Sequence, residues 1–107
     1  MDENLKKIKE IILQTAKEMN IEIDRIILFG SRARGDYRED SDYDLLIVTK
    51  EKLDKEKEKS FKIKIIRIAA KYLIDIQPIL VSSERFEKYK NVYGDIVGMA
   101  VLEGIEL

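Results

Sequence analysis

The chain has 107 residues, with no cysteine, no histidine and one proline. That length predicts one compact domain over residues 1–107. The missing residues exclude disulfide frameworks, thiolate or imidazole metal sites, and serine–histidine or cysteine–histidine catalysis. Twenty basic against 21 acidic residues give a net charge of -1, which argues against a dedicated nucleic-acid binder and leaves chemistry to carboxylates, hydroxyls, lysines, arginines, tyrosines and backbone amides.

In chain order, residues 2–19 place Leu5, Ile8, Ile11, Ile12, Thr15, Ala16 and Met19 at helical spacing between lysines and glutamates, which predicts an amphipathic helix stopping near Asn20. Residues 24–29 (DRIILF) are a short β-branched run ending at Gly30 and read as a buried strand. The polar stretch GSRARGDYREDSD, residues 30–42, reads as a loop, and YDLLIVT, residues 43–49, as a second strand. The charged run 50–59 opens a long helix whose later part turns Phe61, Ile65, Ile66, Ala69 and Leu73 inward. LIDIQPILV, residues 73–81, reads as a third strand, with Pro78 pointing to a sheet edge or a strand end. Ser82 or Ser83 caps a short helix over 84–90, and residues 92–103 make a weaker helix damaged by Gly94 and Gly98. The predicted class is α/β: one small mixed sheet flanked by helices. No apolar run reaches the length of a membrane span, and the charged amphipathic start MDENLKKIKE lacks a signal-peptide core, so the expected location is cytoplasmic.

Chemistry concentrates in GSRARGDYREDSDYDL, residues 30–45. Gly30 lets the backbone approach a ligand, Ser31 offers a hydroxyl, and Arg32 and Arg34 are cationic donors, a set that suits a phosphate group. Arg32 and Arg34 have a second reading, as ion-pair partners of Asp36, Glu39 or Asp40. Asp42 and Asp44 lie two apart at a strand start, so both carboxylates point to one face. Such like charges repel unless a cation sits between them, and with only oxygen ligands the natural cation is Mg²⁺ or Mn²⁺. Asp75 interrupts the third apolar strand, where a carboxylate between Ile74 and Ile76 is costly to bury without a metal or a hydrogen-bonding partner. A phosphate-gripping loop, a paired-aspartate strand and a third aspartate form the inventory of nucleotidyl transfer, in which two divalent ions clamp a triphosphate and an attacking hydroxyl.

The spacing of Gly30-Ser31, Arg32-Ala33-Arg34-Gly35 and Ser41-Asp42-Tyr43-Asp44-Leu45 resembles the signature of the DNA polymerase β-type nucleotidyltransferase superfamily. Its fuller form is similar to the minimal nucleotidyltransferases, the MntA-like antitoxins paired with HEPN-domain toxins, and the likeness covers nearly the whole chain. The resemblance implies a polymerase β palm-like fold, with Ser31 holding the β- and γ-phosphates of ATP. It makes Asp42 and Asp44 ligands of both Mg²⁺ ions, and Asp75 the third ligand and base. It also implies transfer of AMP from ATP to tyrosine hydroxyls of a cognate HEPN-type toxin.

Two other functions fit the same residues: transfer to a small-molecule hydroxyl, with a second copy of the chain completing the acceptor pocket, and a non-catalytic nucleotide-binding module that occludes its partner. Lys64, Arg67 and Lys71 form a basic stripe, read as a solvated face or as a contact for an acidic partner. Val92, Ile96, Met99 and Leu102 fall at helical spacing and read as core or as partner contact, while Tyr37 and Tyr43 are candidates for base stacking or self-modification. A count of 14 lysines, 12 glutamates and 17 isoleucines, with no cysteine or histidine, is the composition of proteins from high-temperature organisms. Thermal unfolding followed by circular dichroism is therefore expected to show a midpoint above about 60 °C.

Overall fold

The computed structural model describes residues 3–107. Helix α1 (Glu3–Glu18) leads into β1 (Ile23–Phe29), a four-residue helix α2 (Ser31–Arg34), β2 (Tyr43–Thr49), α3 (Lys55–Lys71), β3 (Ile76–Ser82), α4 (Ser83–Tyr89), α5 (Ile96–Glu103) and a two-residue strand β4 (Ile105–Glu106). The four strands form one mixed sheet in the order β3-β2-β1-β4. β2 runs antiparallel to β1 and parallel to β3, and β4 runs antiparallel to β1. The sheet flanked by helices is the predicted class.

Strand alternation divides the core into two layers. On one face Ile26, Leu28, Leu45, Ile47 and Ile76 meet Ile8, Ile12 and Ala16 of α1 and Phe61, Ile65 and Ala69 of α3. On the other, Ile27, Phe29, Leu46, Val48 and Val81 meet Phe86 of α4 and Val97 and Ala100 of α5. β2 is apolar at every position from Leu45 to Val48 because both of its faces are covered. Among the described residues no helix is long and apolar enough to cross a membrane.

Several boundaries move from their sequence positions for local reasons. The long helix starts at Lys55, inside the charged run 50–59, because the Asp54 side chain accepts from Lys57 N at 2.8 Å and caps it. The third strand starts at Ile76, since Leu73 adopts a left-handed φ of 61° and ends the helix–strand turn. Pro78 lies on β3, a sheet edge, as its missing N–H demands. Ser82 caps α4 by accepting from Arg85 N at 3.2 Å. The last helix begins only at Ile96, capped by Asp95, and Gly98 is required where its backbone lies against the Val92 and Tyr89 carbonyls. In that helix Val97 and Ala100 are core, whereas Met99 and Leu102 are exposed.

Leu45 has no exposed surface and sits on the central strand β2 beneath the α1–α3 layer. Leu45→Ala is expected to lower stability by about 2–5 kcal/mol through lost burial and the cavity left behind, measured by urea denaturation.

Candidate functional site

The site forms where β1 ends and β2 begins, because antiparallel pairing sets Phe29 level with Asp44. Gly30 follows at φ 72° and ψ -158°, a backbone region open essentially to glycine alone. Its carbonyl accepts from Ala33 N and Arg34 N at 3.1 and 3.0 Å, starting the short helix α2, which Gly35 ends at φ 88°. The sequence reading of residues 30–42 as loop missed this helix; four residues carry too little periodicity to register.

Gly30 is also where the Asp44 carboxylate comes to rest. A Cβ on Gly30 would overlap Asp44 Oδ2. The two strand-start aspartates behave as a pair: the Asp44 carboxyl is raised above its usual range first by burial, then by the charge of Asp42, with Glu103 adding to the rise and Arg34 opposing it. A half-buried carboxylate whose ionisation a neighbouring aspartate disfavours, with oxygen donors only, belongs to the donor set a hard divalent cation relieves. The residues fit such an ion.

Asp75 lies one residue ahead of β3 and is exposed, so the burial cost expected of a carboxylate inside the strand does not arise. Its carbonyl accepts from Tyr43 N at 3.0 Å, and Tyr43 is level with Ile76. Alternation with buried Ile74 and Ile76 therefore puts the Asp75 side chain on the Asp42–Asp44 side of the sheet, beside exposed Gln77, which is level with Asp44. Among the described residues no three acidic side chains close around a single point as a ready-made metal cluster.

The arginines have protein partners. Arg32 is half-buried between the Tyr37 and Tyr43 rings, 4.3 and 4.4 Å from their centroids. Its Nε donates to the Ser41 carbonyl at 3.2 Å, and its Nη2 donates to the Glu39 and Ser41 carbonyls at 2.9 and 3.0 Å. Tyr43 is buried, its hydroxyl accepting from Asn4 Nδ2 at 3.1 Å, so its ring serves the core and Arg32. Arg34 Nη1 donates to both oxygens of Glu103 at 3.2 Å, and Arg34 pairs with Asp36. These bonds, to Glu103 first and Asp36 second, raise the guanidinium pKa further. Glu103 also accepts from Gly30 N at 2.9 Å. Sequence reasoning missed Glu103, a carboxylate 73 residues from Gly30 at the end of a weakly patterned helix.

The larger surface cavities lie elsewhere, about 690 Å³ between the far ends of β2 and β3 and about 730 Å³ along α3. Neither is lined by Gly30, Ser31, Asp42, Asp44 or Asp75, so the paired carboxylates locate the site better than volume does. The basic stripe Lys64, Arg67 and Lys71 lines the α3 cavity, with Lys64 paired to Glu18 at 3.7 Å.

Residues 5–101 match the family model of the nucleotidyltransferase domain. The "putative protein adenylyltransferase" MJ0141 of Methanocaldococcus jannaschii is 48% identical over 79 residues, covering 69% of this chain and 79% of that protein. A solved structure described as a "putative minimal nucleotidyltransferase" superposes with a TM-score of 0.62 and 26% identity, covering 100% of this chain and 97% of that one. A toxin–antitoxin structure with AMP-PNP shares the fold at a TM-score of 0.57 and 19% identity, over 91% of this chain and 69% of that one.

The two loop glycines differ in both backbone strain and contact. At Gly35 a Cβ meets nothing within 4 Å, whereas at Gly30 it meets Asp44. Gly35→Ala is expected to cost about 1 kcal/mol and Gly30→Ala about 1–3 kcal/mol more, read from urea denaturation of the two variants. Equal losses would show that Asp44 does not rest on Gly30.

Proposed function

Because the chain belongs to the nucleotidyltransferase domain family, we propose that this nucleotidyltransferase is a protein adenylyltransferase. In this reading it moves AMP from ATP to a tyrosine hydroxyl of a HEPN-type toxin and so acts as the antitoxin. The observation that carries the reading is the Asp44 carboxylate held against the Gly30 turn with Asp42 beside it, one strand away from Asp75. The MJ0141 relative, named for protein adenylyl transfer, supports the class of acceptor, and the toxin–antitoxin fold neighbour with AMP-PNP supports the kind of partner and the nucleotide.

Each residue then has a distinct task. Ser31, at the first position of α2, offers its hydroxyl to the β- and γ-phosphates. Arg34 is the more exposed of the two arginines and supplies positive charge beside Asp44. Arg32 serves the same site indirectly by shaping residues 37–41. Asp42 and Asp44 would hold two divalent ions, Mg²⁺ or Mn²⁺, which would offset the charge of the triphosphate. The acceptor oxygen forms a bond to the α-phosphorus as the bond to pyrophosphate breaks. The hydroxyl proton passes to the Asp75 carboxylate, which its exposed position leaves accessible to an incoming protein.

Co-expression with the toxin partner, followed by intact-mass spectrometry, is expected to show added AMP on a tyrosine. Replacing both ligands (Asp42→Asn with Asp44→Asn) is expected to cut transfer by on the order of 10³-fold, the loss of several kcal/mol of charge compensation, and EDTA to abolish it in the parent protein. Unchanged added mass in the double variant would overturn the assignment. Full neutralisation of the toxin by that variant would instead favour occlusion.

A further inference from the structure

Glu103 joins two parts of the site that are far apart in sequence. One oxygen, Oε1, accepts from Gly30 N at 2.9 Å, and both oxygens accept from Arg34 Nη1 at 3.2 Å. The carboxylate therefore grips the first and last residues of the turn 30–34 at once, holding the Gly30 peptide in its glycine-only conformation and the Arg34 guanidinium near Asp44.

The chain behind Glu103 leaves it little freedom to swing away. Gly104 packs so closely that a Cβ there would overlap the Ala100 carbonyl and Ile27 Cγ2. Beyond it, Ile105 and Glu106 pair with Leu28 and Ile27 of β1, and Leu107 N donates to the Ile26 carbonyl at 2.9 Å. The strand that ends at Gly30 thus fixes the backbone that delivers Glu103 to Gly30. A tethered carboxylate in this position shapes the turn rather than opening and closing it.

We propose that Glu103 is a positioning residue for nucleotide binding: by clamping Gly30 N–H and Arg34 together, it sets the shape in which the turn receives the phosphates of ATP. This rests on the reading of Gly30–Arg34 as the phosphate grip. It makes the α5–β4 segment, which contributes no aspartate of the motif, a working part of the site.

The test is the Kd for Mg-ATP, by calorimetry, in variants whose folded fraction is checked by circular dichroism. A purely structural role lowers the folded fraction and leaves the Kd of folded molecules unchanged. Glu103→Ala is expected to weaken binding about tenfold or more, the loss of one charge-assisted clamp. Glu103→Asp, too short to reach both partners, is expected to weaken it comparably, and this variant decides the matter if the alanine variant does not fold. Glu103→Gln keeps an amide oxygen for Gly30 N–H and is expected to stay within about threefold of the parent. Adding Arg34→Ala to Glu103→Ala is expected to cost less than the sum of the two single losses, because Glu103 acts in part through Arg34. Unchanged Kd in Glu103→Ala and Glu103→Asp overturns the proposal, as does tighter binding, which would mean that the carboxylate competes with phosphate. Ser31→Ala separates the two readings. If it weakens binding while the Glu103 variants do not, only the Glu103 role falls; if neither weakens it, the phosphate-grip reading falls as well.

Discussion

Only a residue without a side chain fits between the end of β1 and the Asp44 carboxylate. The antiparallel register of β1 and β2 brings Phe29 level with Asp44, so the next residue must turn away while leaving room for that carboxylate. Gly30 does both, at a φ of 72° that any Cβ would make costly. The turn conformation, the start of α2, the approach of Asp44 and the N–H offered to Glu103 all follow from one missing methyl group. The Gly-Ser step and the Asp-x-Asp step are separate in sequence and are a single contact in the fold.

The sheet explains why the polar site sits where it does. Asp44, Leu46 and Val48 point to the same face of β2, and the α4–α5 layer covers only the last two. Asp44 lies where that layer runs out, half-buried, beside a partner aspartate that raises its pKa further. The site is thus the uncovered end of a hydrophobic face.

Much of this was legible in the sequence because it depends on local pattern. The α1 spacing, the apolar runs of β1 and β2, and the two-residue spacing of Asp42 and Asp44 are short-range signals that tertiary packing reinforced. Asp75 was found by its place among isoleucines, but the same pattern placed it inside a strand that begins one residue later, since the left-handed Leu73 was invisible in residue order. β4 is two residues long and Glu103 acts across 73 residues, so neither had a periodicity to betray it. The partners of Arg32 and Arg34 were open for a related reason. A guanidinium in a polar loop has many candidate acceptors, and the choice is made by where the loop folds back.

That choice bears on how the site can bind a nucleotide. Residues 35–42 form an excursion with little core of its own: every residue from Gly35 to Asp40 is exposed. Ordering such a segment costs about 1–2 kcal/mol per residue in backbone entropy alone, a charge that would fall on the ligand if the loop were free. Arg32 removes much of it beforehand by bonding to the Glu39 and Ser41 carbonyls and stacking between Tyr37 and Tyr43. Ser41 continues the arrangement, its hydroxyl accepting from Arg38 N at 2.9 Å directly before Asp42. Arg32 thereby holds the segment that leads into Asp42 and Asp44 in one shape. The motif's two arginines divide the work: Arg32 stiffens the approach to the carboxylates, and Arg34 supplies the charge beside them.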